Sequence, residues 1–291
     1  MMAQAPHAHD VTRSGAAVDP PVPPGVDPSI PAPARLYDYY LGGNNNFEAD
    51  RIVAEQLRIG LPELSDAAWA NRGFHQRAAG WLAADQNVRQ FVDIGAGLPT
   101  QGNTHEVVHR AAPDARVVYV DHDPMVLAHA SQLLSGTPST ALVLADLRDP
   151  DSVLGHDNLR ELIDFDEPAG LLMTAVLHFV ADSADPWGLV QRYMSALAPG
   201  SYLVLSHATG DRLPPRAIEA MLKTYENATE KLVLRSLPEV QRFFTGLELV
   251  PPYEGAEPGV TFTGQWGAVD PDSADSDGSR VLYCGVAKRP G

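Results

Sequence analysis

The chain has one cysteine, Cys284, in 291 residues. No internal disulfide can form, which excludes a small stapled secreted scaffold and suits a reducing compartment. No apolar run approaches the roughly 20 residues of a membrane-spanning helix. The first residues lack the basic-then-apolar layout of a signal peptide. Positive charge is scarce, with 21 Lys and Arg against 37 Asp and Glu, a net charge of −16. That balance argues against nucleic acid or an anionic membrane surface as partner. Arg72, Arg77 and Arg89 are the candidates for a local basic patch, against the plainer reading of a solvated helix face with ion pairs. A cytoplasmic protein, partnered by neither membrane nor nucleic acid, is expected.

What is present points to a layered α/β domain. Residues 1–33 are rich in Pro, Ala and Asp without apolar periodicity, and are expected to form a disordered tail. Residues 34–86 are expected to form a helical cap, with helices over 47–58 and 66–85. Trp69, Phe74, Ala78, Trp81 and Leu82 are spaced so that most share one face. From residue 87 to 291, short apolar runs alternate with helical segments. Strands are expected at Phe91–Ile94, Arg116–Val120, Ala141–Ala145, Ala169–Val176 and Ser201–Ser206. Helices over 103–112, 124–134, 150–163 and 186–198 fill the crossovers, which implies a parallel sheet covered on both faces. Asn103 and Asp123-Pro124 read as helix starts. A helical insertion over about 211–246 precedes Leu247–Val250 and Arg280–Ala287, expected as closing strands antiparallel to each other.

The chemistry concentrates at strand ends. Phe91-Val92-Asp93-Ile94-Gly95-Ala96-Gly97 reads as a buried strand that stops at an acid and two glycines, where backbone can approach a ligand closely. Asp121 and Asp146 end the next two strands, so three carboxylates reach one edge of a doubly wound sheet. An acid after the second strand can accept from two ribose hydroxyls, and Asp146-Leu147 offers a polar and an apolar contact to adenine. A dinucleotide fingerprint needs a third small residue where Thr100 stands, and no Walker lysine follows. A cofactor without phosphate fits better, and S-adenosylmethionine is one.

With these residues the chain resembles the class I S-adenosylmethionine-dependent methyltransferases. More narrowly, it resembles the actinobacterial S-adenosyl methyltransferase family also known as DUF574. The likeness runs from about Ala34 to Leu249. It rests on Arg35-Leu36-Tyr37-Asp38-Tyr39-Tyr40-Leu41-Gly42-Gly43, Asn71-Arg72-Gly73-Phe74 and Gln90–Asn103. It continues in Val118–Pro124, Ala145–Pro150, Val176–Val180 and Pro199–Leu203, while Tyr253–Gly267 departs from the pattern. The resemblance implies a Rossmann-like, seven-stranded, mostly parallel sheet with an antiparallel closing strand and an N-terminal helical cap. It implies that Asp93, Gly95, Ala96 and Gly97 approach the methionine end and Asp121 the ribose. His122, Asp146 and Leu147 would flank the adenine, and the backbone at Ala175 and Val176 would line the methionine side.

The expected function is methyl transfer from S-adenosylmethionine to an oxygen or nitrogen of a small molecule. Positioning can supply much of the rate, so a base is optional. His178, after the fourth strand, is the first candidate base, and His207 a weaker one. Tyr37, Tyr40 and Arg72 are candidates to close over substrate or cofactor from the cap. Two other classes compete. One is a non-catalytic S-adenosylmethionine binder. The other is a zinc hydrolase, because His105-Glu106-Val107-Val108-His109 matches H-E-x-x-H; its place in the first crossover argues for packing rather than metal, so no metal is expected.

Overall fold

The computed structural model describes residues 19–99, 102–133 and 136–291. Residues 1–18 of the expected tail, Thr100 and the end of the expected 124–134 helix lie outside the described residues. Strands β1 (Gln90–Ile94), β2 (Arg116–Asp121), β3 (Thr140–Leu144), β4 (Gly170–Thr174) and β5 (Tyr202–Ala208) run parallel, in the order β3-β2-β1-β4-β5. The order reverses between β1 and β4, and the carboxyl ends of those strands open the crevice where such sheets bind ligands.

Beyond β5 the sheet turns antiparallel. There β8 (Leu282–Lys288) pairs on one side with β5 and on the other with β6 (Glu248–Leu249) and β7 (Thr261–Phe262). The sheet therefore has eight strands rather than the expected seven. The seventh position is a broken edge: β6 meets Ala287 and Lys288, the chain leaves, and β7 returns against Tyr283 and Cys284. The excursion lies in the stretch that had no counterpart in the sequence pattern. Arg77 pins its far end, donating to the carbonyls of Trp266 at 2.7 Å and Thr263 at 2.8 Å.

Alternation along the strands separates two cores. Val92, Ile94, Val118, Leu171 and Leu203 pack with α6 (Pro150–Leu154), α7 (Asp157–Leu162), α8 (Pro186–Ala196) and α10 (Leu237–Gln241). The expected 150–163 helix is thus two, parted at Gly155 and His156. Phe91, Val117, Leu172, Val204 and Val286 face the other way, onto α3 (Leu64–Ala84) and α4 (Thr104–Val108). The same period of two places Asp93 on the α3–α4 side. Asn103 opens α4, its backbone N–H donating to Glu106 at 2.8 Å. Asp123 opens α5 (Pro124–Leu133) by accepting from the Met125 N–H at 2.8 Å.

A third core joins α1 (Pro33–Tyr40), α2 (Glu48–Gly60), α9 (Pro215–Tyr225) and the first half of α3 above the sheet edge. Buried Arg35 binds Asp50 at 2.8 Å, and Asp50 also accepts from the Ala32 and Phe47 N–H groups, which ties α1 to α2. Asp38 accepts from Asn45 and Asn46, folding the Gly-Gly-Asn turn under α1. A Cβ on Gly43 would lie 2.0 Å from the Asp38 carboxylate, so only glycine fits. Part of the expected tail is in contact with the fold: Val26 packs against the Phe47 and Met125 cluster, and Asp19 pairs with Arg51. Helix α3 lies within the expected cap, and its second half covers the sheet through Phe74, Ala78 and Leu82. Trp69 is not on that face and is half exposed.

Candidate functional site

One cavity spans the carboxyl edge of the sheet beneath the cap, about 1590 Å³ with its open mouth included. It brings together Asp93, Gly95, Ala96, Gly97, Asp121, His122, Asp146, Leu147, Ala175, Val176 and His178, with Tyr37, Tyr40 and Arg72 from the cap. The two glycines after β1 have φ of +71° and +67°, which a side chain would strain. A Cβ on Gly95 would also strike Val176 Cγ2 at 2.2 Å. On Gly97 it would meet nothing within 4 Å, so that backbone faces open space. A bare left-handed backbone beside empty volume is what close approach to a cofactor needs.

The three aspartates differ in state. Asp93 is 4% exposed, and burial raises its pKa to about 6, partly offset by the Thr104 hydroxyl donating to Oδ2 at 2.6 Å. Burial also raises Asp121, whose two oxygens accept from the Gly97 N–H at 2.9 Å and the Asp123 N–H at 3.0 Å. Each oxygen keeps a further lone pair, and Asp121 lines the cavity. At Asp146 burial opposes ionisation, but Arg148 prevails with bonds of 2.7 to 2.9 Å and lowers the pKa. Arg148 and His122 converge on Glu230, at 3.1 and 3.2 Å. Glu230 sits on the strap between α9 and α10, and it raises the pKa of His122. Neither Arg148 nor Glu230 stood out in the sequence, because nothing local marks two distant charges as neighbours.

A chain of side chains supports Asp93 from behind. His75 lies 2.9 Å from the Thr174 hydroxyl through Nδ1 and 2.8 Å from the Thr104 hydroxyl through Nε2. Thr104 donates to Asp93, so His75 Nε2 donates to Thr104 and Nδ1 accepts from Thr174. Burial drives the His75 pKa down to about 3, so the imidazole is neutral. On the cap side, the Tyr37 hydroxyl accepts from Asn71 at 2.9 Å and donates to the Ala68 carbonyl. Asn71 in turn accepts from Ser206, whose Oγ receives the Ala175 N–H at 2.9 Å. Ala175 has φ of +54°, a strained backbone at the cavity wall held by that relay.

The two candidate bases fare differently from expectation. His178 lines the cavity, but its Nδ1 accepts the Ala208 N–H at 3.2 Å, so the proton resides on Nε2. Burial, then the neighbouring His207 and Arg235, depress its pKa well below the usual range. In that tautomer Nε2 is a hydrogen-bond donor, and the nitrogen a base would use is occupied by the Ala208 N–H. His207 is not in the cavity at all. It is fully buried, donates from Nδ1 to the Ala208 carbonyl and accepts Arg235 on Nε2 at 2.7 Å. Arg235, itself buried, also holds the carbonyls of Leu177 and Val180.

The H-E-x-x-H segment serves packing. His105 Nδ1 is 2.7 Å from the Tyr119 hydroxyl, and His109 Nε2 donates to the Ala115 carbonyl at 2.8 Å. Glu106 caps α4. Among the described residues no group of three or more His, Cys, Asp or Glu could hold a metal ion. The arginines form no basic patch either. Arg72, Arg77 and Arg89 donate inward to the carbonyls of Gly102, Trp266 and Ala83. No described helix is long and apolar enough to cross a membrane.

The family model described as S-adenosyl methyltransferase matches residues 21–290. A methyltransferase candidate from Thermobifida fusca YX is 41% identical, with a TM-score of 0.84 over 92% of this chain and 98% of its own. A DUF574 family protein from Streptomyces avermitilis is 38% identical, with a TM-score of 0.84 over 91% of this chain and 99% of its own. No curated protein matches. Three strand-end carboxylates, two left-handed glycines and a match along nearly the whole chain agree: it belongs to the S-adenosyl methyltransferase family, DUF574, with S-adenosylmethionine as its cofactor.

Proposed function

We propose that this chain is an active methyltransferase that uses S-adenosylmethionine to methylate an oxygen or nitrogen of a small molecule. The observation that carries the reading is the convergence of Asp93, Asp121 and Asp146 with Gly95 and Gly97 on one cavity that continues under the cap. Bound there, the cofactor supplies a methyl carbon already activated by a sulfonium. The residues' part is to bind, orient and exclude water. Asp121, its carboxylate fixed by two backbone N–H groups, is placed to accept from ribose hydroxyls. Leu147 and the Asp146–Arg148 pair bound the adenine side, and Glu230 closes it from the strap. Asp93 faces the methionine side, where an ammonium group restores the ionised form that burial disfavours.

No side chain needs to act as a base, because alignment of acceptor and methyl carbon can provide most of the acceleration. His178 orients the acceptor through Nε2–H. We place the reaction in the cytoplasm, in keeping with a single thiol that is fully buried. Calorimetry tests the reading. Both S-adenosylmethionine and S-adenosylhomocysteine bind the wild type, and Asp121→Ala weakens both at least about 50-fold, as loss of charge-assisted bonds does. Absence of heat with either compound overturns it, and wild-type affinity in Asp121→Ala overturns the ribose assignment.

A further inference from the structure

Asp93 is the inner end of a line of buried polar groups that crosses from sheet to cap. Its Oδ2 receives the Thr104 hydroxyl at 2.6 Å. His75 Nε2 stands 3.7 Å from the same oxygen, beyond bonding distance, and meets Thr104 Oγ1 at 2.8 Å instead. The opposite nitrogen, Nδ1, meets the Thr174 hydroxyl at 2.9 Å. The members come from different elements: His75 from α3, Thr104 from the first residue of α4, Thr174 from the last of β4.

Thr104 has one hydroxyl hydrogen. Spent on Asp93, it leaves only acceptor capacity toward His75, so the imidazole donates from Nε2 and accepts Thr174 on Nδ1. Every hydrogen in the line therefore points toward the Asp93 carboxylate, and bonds arranged head to tail polarise one another. A neutral imidazole suits the middle place, being a rigid ring with a donor on one side and an acceptor on the other. Burial holds His75 in that neutral form. Burial is also the largest influence on Asp93 and disfavours its charge; Thr104 and then Arg72 favour it, and Asp121 disfavours it. Tyr119 of β2, beside Asp93 and Thr104, is kept a neutral phenol by burial.

Resting on the methyltransferase reading, we infer that His75 is a positioning residue: through Thr104 it holds the Asp93 carboxylate ionised and aimed at the ammonium group of the cofactor's methionine end. A hydroxyl free to turn would spend part of its time away from Asp93. With a lone pair filled by His75, the Thr104 hydroxyl keeps its hydrogen on the carboxylate.

Calorimetry of the full-length protein with S-adenosylhomocysteine and with 5′-methylthioadenosine, from pH 5 to 8, tests this. The second probe keeps the adenine, ribose and thioether but has neither ammonium nor carboxylate. It reads Asp121, His122 and Glu230 without Asp93. Wild-type affinity for S-adenosylhomocysteine falls as pH drops through the Asp93 pKa, because a protonated carboxyl no longer attracts the ammonium. We expect His75→Phe and Thr104→Val to move that fall upward by about 0.5 to 1 pH unit, the scale of one hydrogen bond. Affinity at pH 6 then drops about 2- to 5-fold relative to pH 8. Thr104→Ser, which keeps the hydroxyl, stays at the wild-type midpoint. Thr174→Val moves it in the same direction as His75→Phe, by less. The 5′-methylthioadenosine profile is the same in every variant, and nitrogen NMR finds the His75 hydrogen on Nε2. A wild-type midpoint in His75→Phe, or in Thr174→Val where His75→Phe does not fold, overturns the inference, as does a His75 hydrogen on Nδ1. Wild-type affinities that fall in parallel for both probes, or variants that shift both equally, also overturn it. Absence of S-adenosylhomocysteine binding in the wild type would sink the methyltransferase reading instead.

Discussion

At the end of β1, Asp93 has one oxygen engaged by Thr104, and burial lifts its pKa from 3.8 to about 6. A carboxyl whose folded pKa is raised favours folding while protonated. That advantage is complete below about pH 4 and is lost as pH rises to about 6, so above pH 6 the empty protein carries the full cost of a buried carboxylate. Asp93→Asn keeps an acceptor for Thr104 without that charge. We expect it to raise the stability of the empty protein at pH 8 by about 1–3 kcal/mol, with little gain at pH 3.5. Urea unfolding at the two pH values measures this; equal effects at both would refute the assignment. The proposed role of Asp93 at the methionine end predicts that the same substitution also weakens cofactor binding, stability being traded for function. His178 teaches a related lesson at this scale. Its position was legible in the sequence, but its tautomer depends on the Ala208 N–H, thirty residues away.

Among the elements, the strap between α9 and α10 departs most from its sequence appearance. It is held by the Thr229 N–H on the Pro31 carbonyl, by Glu230 on His122 and Arg148, and by the Val233 N–H on the His178 carbonyl. His122 has a raised pKa, so its pairing is complete below about pH 6.5 and is lost as pH rises through that raised value. Glu230 has a lowered pKa, so its part is lost only as pH falls below the ordinary value of 4.5. The latch is therefore tightest at mildly acidic pH, and at higher pH Arg148 is the positive charge left on Glu230 beside the backbone bonds. Hydrogen exchange across residues 229–233, corrected for intrinsic rates, is expected to quicken from pH 6 to 8.5 in wild type. In Glu230→Gln it is already faster, by up to about fivefold, the scale of an exposed ion pair, and no longer pH-dependent. Equal exchange in both proteins at pH 6 would show that the backbone bonds alone hold the strap.

For the molecule as a whole, the net charge of −16 sets a background of self-repulsion. Its inward-turned arginines neutralise carbonyls and single acids rather than presenting a basic face. Screening should thus help more than it harms. The melting temperature is expected to rise between about 0.01 and 0.15 M NaCl, over which the Debye length falls from roughly 30 to 8 Å. A falling melting temperature would mean that the exposed pairs outweigh the repulsion. The apolar lining of the cavity is also a whole-molecule property, since α1, α2, α3, α9, the strap and the start of β8 all contribute side chains to it.

The amino-acid sequence by itself determined the sheet's parallel half, its three strand-end aspartates and the glycines after β1. These signals are local: period-two apolar runs, acids where runs stop, and glycines where backbone must turn. Helix starts at Asn103 and Asp123 were legible for the same reason, since a cap bonds within three residues. The tertiary structure alone decided that the seventh strand is broken in two, because its pieces are too short for a periodic signal and are held by pairing with β8 and by Arg77. It also decided that His207 turns into the core, that His105 and His109 bond Tyr119 and Ala115, and that Glu230 reaches His122. In each case the partner is distant in sequence and the choice rests on which face a strand or strap presents. Packing settles that, and composition carries no record of it.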